Sequence, residues 1–216
     1  FQELEPDAAL NCAALTEMER FIEDEFLARK VNVEGPRNLA QGCARFGHKL
    51  IHISCGEVFN GNKVMPQPYF EDDIPAPTSL YAKAKLESEA AVQENSPNYI
   101  IVRTEWLYGN QGGGFLKSLV NRAVQDPSRA LKVPDDEFGS PTWAYRLALQ
   151  IEALIKEDAR GTYHATAEGY CSRYAYAKHV LDRLKLEMPL EPGRANEMGD
   201  GTEGPFNGLL ENRRLK

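Results

Sequence analysis

Two short apolar runs on either side of a helix-length segment constrain this chain more than any other feature. Leu50-Ile51-His52-Ile53 and Tyr99-Ile-Ile-Val-Arg103 read as strands, and Ser79 to Val92, rich in Ala, Lys and Glu, reads as the helix between them. The alternation runs along most of the chain. Asp7 to Ala14 is a short apolar strand ended by small residues, followed by helical stretches with Phe21, Ile22, Phe26 and Leu27 at helical spacing and then Val31 to Phe46, stopped by Gly47. Lys49 to Ser54 is the next strand, and a proline-rich loop, Met65 to Pro77, precedes the Ser79 helix. Later come a helix from Phe115 to Val124, a strand from Ala130 to Val133 and an amphipathic helix from Thr142 to Ile155. Strands alternating with helices predict an α/β fold with a doubly wound parallel sheet. Beyond Asp158 the pattern shifts, so residues 1–158 are expected to form the main domain and residues 159–216 a small C-terminal lobe.

Composition narrows the partners. A net charge of −7 with no Lys/Arg-rich run argues against nucleic acid and anionic membranes, which need clustered positive charge, and leaves small molecules. No apolar stretch approaches the roughly 18 residues of a membrane span, and Phe1 to Asp7 carries neither a basic nor an apolar export region. Four scattered cysteines and four dispersed histidines fit a reducing, cytoplasmic setting and predict no metal site.

The chemistry is concentrated at Ser54-Cys55-Gly56, at the end of the second strand, and Tyr81-Ala-Lys-Ala-Lys85, at the start of the following helix. Residues four apart on a helix are neighbours, so an ammonium at Lys85 would favour the phenolate of Tyr81, a group of ordinary pKa about 10, and ease proton release. A tyrosine so placed is a candidate general acid. Tyr174 and Lys178 repeat the spacing but follow no strand ending in a hydroxyl residue, and read as an ordinary helix face.

The order of residues resembles the extended short-chain dehydrogenases/reductases and, within them, is most similar to the dTDP-4-dehydrorhamnose reductases. The matching blocks are Asn11 to Ala14, Val31 to Ala40, His52-Ile-Ser54 with Val58-Phe59 and Gly61, Tyr81 to Lys85, Arg103-Thr104 with Trp106 and Tyr108-Gly109, Gly139 to Thr142, and Gly161 to His164. The resemblance implies a Rossmann-like sheet and NAD(P)H-dependent reduction of a keto group on a nucleotide-linked sugar, with NADP and NAD not distinguished. It implies that Tyr81 gives the proton, that Lys85 tunes Tyr81 and holds the cofactor ribose, and that Ser54 and Cys55 stand beside the substrate carbonyl. Cys12, Ala13, Ala14, Asn32, Arg103 and Thr104 would line the cofactor side, small residues being needed where backbone approaches a dinucleotide. Thr16, Glu105 and Trp106 would face the substrate, the tryptophan offering an aromatic surface to the sugar ring or else plugging core.

Two positions depart from the family's pattern. Cys55 stands where a hydroxyl residue helps bind the carbonyl, and a thiol is a weaker donor. Glu105 stands where the family has a small residue, which puts a carboxylate in or near the pocket. The glycine-rich turn that receives a pyrophosphate does not occur in this sequence, which opens, in the family's order, just before the fourth strand. The apolar first strand is therefore expected to be covered by residues preceding Phe1, or else by a second copy in a homodimer. Two further readings stay open: a non-catalytic regulatory member, as in the regulatory subunit of methionine adenosyltransferase, and a nucleotide-sugar epimerase or dehydratase. The Arg103-Thr-Glu-Trp106 segment favours the reductases over the latter.

Overall fold

The two apolar runs become neighbouring strands of one parallel sheet, with Ile51 opposite Ile100 and Ile53 opposite Val102. The computed structural model describes residues 6–16, 18–111, 113–197 and 206–215. In chain order its elements are β1 (Ala8–Asn11), α1 (Met18–Glu23), α2 (Glu25–Arg29), a π-helical stretch (Lys30–Glu34), α3 (Gly35–Phe46), β2 (Lys49–Cys55), α4 (Leu80–Asn95) and β3 (Tyr99–Thr104). There follow β4 (Leu107–Tyr108), α5 (Phe115–Gln125), β5 (Leu131–Pro134), β6 (Glu137–Gly139), β7 (Thr142–Trp143), α6 (Ala144–Lys156) and β8 (Gly161–His164). The last are β9 (Cys171–Ser172), α7 (Arg173–Leu184), β10 (Leu190–Gly193) and β11 (Phe206–Asn207). The principal sheet has the order β1-β2-β3-β8, all parallel.

Side chains of a strand alternate between faces, and both faces here are covered. Ile51, Ile100 and Val102 pack with Leu147, Ile151 and Leu154 of α6 on one side. Leu50 and Ile101 pack with Ala40 and Cys43 of α3 and Val92 of α4 on the other. The sheet is therefore doubly wound, as its sequence period predicts. Ser79 starts α4 by accepting a hydrogen bond from the Ala82 N–H, and Gly47 ends α3 at a φ of 74° that favours glycine.

The expected division at residue 158 does not follow the packing. Gly161–His164 is the fourth strand of the principal sheet, in register with Ile100–Arg103, and so belongs to the main domain rather than to a C-terminal lobe. The second apolar cluster combines Leu119, Ala123 and Val133 with Ala177, Leu181 and Met188, residues from both sides of the supposed boundary. The end of the chain then returns across the molecule. Asn207 donates to Lys63 O and Gln67 O, the Gly208 N–H donates to Phe138 O, and the Asn212 amide brackets the backbone of Thr166.

Candidate active site

The C-terminal ends of β1, β2 and β3 bring most of the sequence-predicted residues to one edge of the sheet. After β1 the chain opens into a loop with Cys12 and Ala13 exposed and Ala14 half-buried. Thr16 is exposed at its far end. Asn32 differs from expectation. It is buried in the π-helical stretch, and its amide binds both backbone groups of Leu15, accepting from the N–H and donating to the carbonyl, each at 2.8 Å. Its side chain is consumed in holding the loop, and a π-helical turn is a common way to aim one side chain out of helical register.

Ser54 and Cys55 close β2, and α4 lays Tyr81 and Lys85 against them. The Tyr81 hydroxyl lies beside the Cys55 side chain, and its ring meets Phe21 edge-on at 5.8 Å. Burial, and then the acidic neighbours Cys55 and Glu57, hold the phenol well above its ordinary pKa. Burial pushes the Cys55 thiol up to about 12, so it stays protonated. Lys85 is 3 % exposed, and its Nζ donates to Ile53 O at 2.6 Å rather than to Tyr81. Burial lowers its pKa, with Cys55, Glu89 and Cys12 opposing. The expected easing of phenol ionisation by Lys85 is thus not what this arrangement does; it keeps the phenol protonated. Ser54 Oγ, and Thr104 Oγ1 on the neighbouring strand, are buried without a hydrogen-bond partner among the described residues.

Beyond β3 three expectations change. The Arg103 guanidinium makes a bidentate pair with Glu89 of α4, Nε to Oε1 at 3.0 Å and Nη2 to Oε2 at 2.7 Å, a partner the sequence did not announce. Glu105 does not project freely into a pocket. Its Oε1 accepts from the Ser140 N–H at 2.8 Å, and its Oε2 lies where any side chain at position 208 would begin, which only Gly208 permits. Burial holds its carboxyl well above the usual range, against the pull of that hydrogen bond and of Arg173. Trp106 adopts a φ of 44°, abuts Gly139, and carries the Arg173 guanidinium 3.7 Å above its ring, with Tyr176 nearly parallel at 6.1 Å. An aromatic ring expected to dock a sugar is therefore already stacked by a cation on one face.

Sequence reasoning passed over His52, Ser88, Glu89 and Arg173. Glu89 lies one turn beyond Lys85 on the Tyr81 face of the helix, and His52 shares a strand face with Ser54, so both positions were readable from period alone. Among the described residues no group of histidine, cysteine and carboxylate side chains could hold a metal ion, and no helix is long and apolar enough to cross a membrane.

The family model for the RmlD substrate binding domain matches residues 1–216. A dTDP-4-dehydrorhamnose reductase of Mycobacterium tuberculosis is 38% identical over 179 residues, 82% of this chain and 59% of that protein. The spore coat polysaccharide biosynthesis protein SpsK of Bacillus subtilis is 32% identical over all of this chain and 75% of its own length. The crystal structure of a dTDP-4-dehydrorhamnose reductase from Bacillus anthracis in complex with NADP superposes with a TM-score of 0.92 at 32% identity, covering 99% of this chain and 75% of that one. This chain thus spans between 59% and 75% of the length of these relatives.

Proposed function

The chain belongs to the RmlD substrate binding domain family, and on that premise we propose that it serves an NADPH-dependent reduction of a 4-keto sugar on a nucleoside diphosphate, with Tyr81 as the proton donor. The observation that carries this reading is the placement of Tyr81 beside Cys55 at the end of β2, with Lys85 one turn further along α4 and anchored to Ile53 O. Reduction of a ketone needs a hydride on carbon and a proton on oxygen, and a phenol at this place can supply the proton. The relatives' names supply the substrate class: both dTDP-4-dehydrorhamnose and dTDP-4-keto-6-deoxy-D-glucose reductases are among them.

The residues present fit a nicotinamide dinucleotide. Two buried hydroxyls without a partner among the described residues, Ser54 Oγ and Thr104 Oγ1, stand at the strand ends, and small side chains follow β1 where a dinucleotide backbone must come close. We assign Cys12, Ala13, Ala14 and Thr104 to its lining and Lys85 to its ribose. The dinucleotide, when bound, supplies the hydride. Tyr81 transfers its proton to the developing alkoxide, and Cys55 orients the phenol. We assign Thr16 and Trp106 to the sugar side. The free thiols of Cys12, Cys43, Cys55 and Cys171 suit a reducing cytoplasm.

The test is turnover of a dTDP-4-keto-6-deoxy sugar by the full protein, followed through nicotinamide absorbance. Tyr81→Phe should lower kcat by about 10²- to 10⁴-fold, the usual worth of a general acid. Parental turnover in the phenylalanine variant would refute the assignment. Lack of turnover in the parent with every such sugar would favour a non-catalytic role.

A further inference from the structure

Between the loop that leaves β1 and the helix that carries Tyr81 and Lys85 lies a continuous line of hydrogen bonds, buried except at its Ala13 end. The Ala13 N–H donates to Asn11 Oδ1 at 3.1 Å, which fixes the Asn11 amide with its nitrogen end turned toward His52 Nδ1, also at 3.1 Å. At the other end Ser88 Oγ donates to Lys85 O at 2.6 Å, leaving its lone pairs for His52 Nε2 at 2.8 Å. Asn11 and His52 are direct partners across the β1–β2 register, and His52 and Ser88 are 1 % and 0 % exposed. Each group has one role open to it. His52 must accept at Nδ1 and donate at Nε2, because a second ring proton would face the Asn11 NH₂ group.

We propose that His52 is a positioning residue that couples the Cys12–Leu15 loop to the turn of α4 holding Lys85, so that the dinucleotide-facing loop and the proton-donating helix are held in one geometry. The proposal rests on the reductase reading for its catalytic consequence and on the hydrogen bonds alone for its structural one. Removing the ring leaves Asn11 free to rotate, which releases the Ala13 N–H, and leaves the Ser88 hydroxyl without the donor that orients it. The line touches no reacting atom. Its effect must therefore appear as misplacement, in kcat more than in KM, because correct placement matters most in the transition state. That burial drives the His52 pKa down to about 3 agrees with a ring that stays neutral in this role.

The experiment compares His52→Leu, which removes both hydrogen bonds, with His52→Gln, whose amide offers an acceptor and a donor side by side. Amide hydrogen exchange at Ala13, read without any ligand, should quicken about tenfold in His52→Leu and stay near the parental rate in His52→Gln, a tenfold change matching about one net hydrogen bond. With NADPH and the sugar nucleotide, kcat should fall about tenfold in His52→Leu at little-changed KM and return in His52→Gln. Ser88→Ala, which deletes only the far link, should quicken Ala13 exchange in the same direction and serves if the leucine variant fails to fold. Unchanged Ala13 exchange in His52→Leu or Ser88→Ala overturns the proposal, as do equal losses in the leucine and glutamine variants. A parent protein without turnover or dinucleotide affinity would instead sink the reductase reading, while the exchange rates would still decide the coupling.

Discussion

Replacing Glu89 with leucine tests how α4 is fastened to the sheet. The carboxylate and the Arg103 guanidinium are 2% and 6% exposed and share two hydrogen bonds, so the pair is removed from water on every side. Arg103 Nη1 already has no hydrogen-bond partner among the described residues. Deleting the carboxylate leaves a buried cation with two more N–H groups unpaired. Hydrogen bonds to charged groups contribute about 1.5–3 kcal/mol each, and breaking one side of a buried ion pair costs about 3–5 kcal/mol. A fall of about 3–5 kcal/mol is a large share of the 5–15 kcal/mol that holds a typical domain, and corresponds to about 6–20 °C in Tm for a chain of this size. Removing both charges should behave differently, because the penalty belongs to the orphaned ion. The Glu89→Leu/Arg103→Met variant should recover to within about 1 kcal/mol of the parent. Urea unfolding of the parent, both single variants and the double variant closes the cycle. A double variant as unstable as Glu89→Leu alone, or a single loss below about 1 kcal/mol, would refute the reasoning.

Two other outcomes follow from the site. Cys55→Thr exchanges a thiol for a stronger hydroxyl donor beside Tyr81, and kcat/KM for the 4-keto sugar should rise about ten- to a hundredfold; an unchanged or lower value would mean that Ser54 already supplies that contact. His52 takes up a proton in the unfolded chain below about 6.5 but in the folded protein only near about 3, so unfolding binds a proton between those values. Its contribution to stability is fully present above pH 6.5 and is lost as the pH falls toward about 3. His164, also lowered to about 3 by burial, acts in the same direction. Glu105, raised by burial, acts oppositely above its ordinary value. The difference between parent and His52→Gln isolates one group: between pH 5 and 6.5 the parent's stability should fall more steeply by about 1 kcal/mol per pH unit. Parallel slopes in chemical denaturation would contradict it.

What could be read from the sequence was what repeats at short range. The strands at Leu50–Ile53 and Tyr99–Arg103 and the helix begun by Ser79 rest on periods and spacings of a few residues, whereas the meeting of Tyr81 with the end of β2 was implied by the resemblance. Partnerships set by tertiary packing were not legible. Asn32 reaches Leu15 across 17 positions, Arg103 reaches Glu89 across 14, and Glu105 reaches Ser140 across 35. Each of those side chains was expected at the ligand because the resemblance puts its position there; in the fold each is bonded to another part of the chain. Gly161–His164 was set apart from the main domain for a related reason. A four-residue strand carrying Thr, Tyr and His has no apolar run to announce it, and its place at the sheet edge comes from pairing with Ile100 to Arg103.

The returning segment near the chain's end has a consequence in time. Asn207 holds the loop at Lys63 across 144 positions and the Leu209 carbonyl accepts from the Tyr69 N–H, so that loop cannot take its final form until residues 207–209 have been synthesised. At the usual 5–20 residues per second the wait is about 7–30 s, during which the sheet around β2 and β3 can already pair through its local connections while the loop behind Cys55 stays open. Stability of the sheet and competence of the site are thereby acquired at different moments of the chain's synthesis.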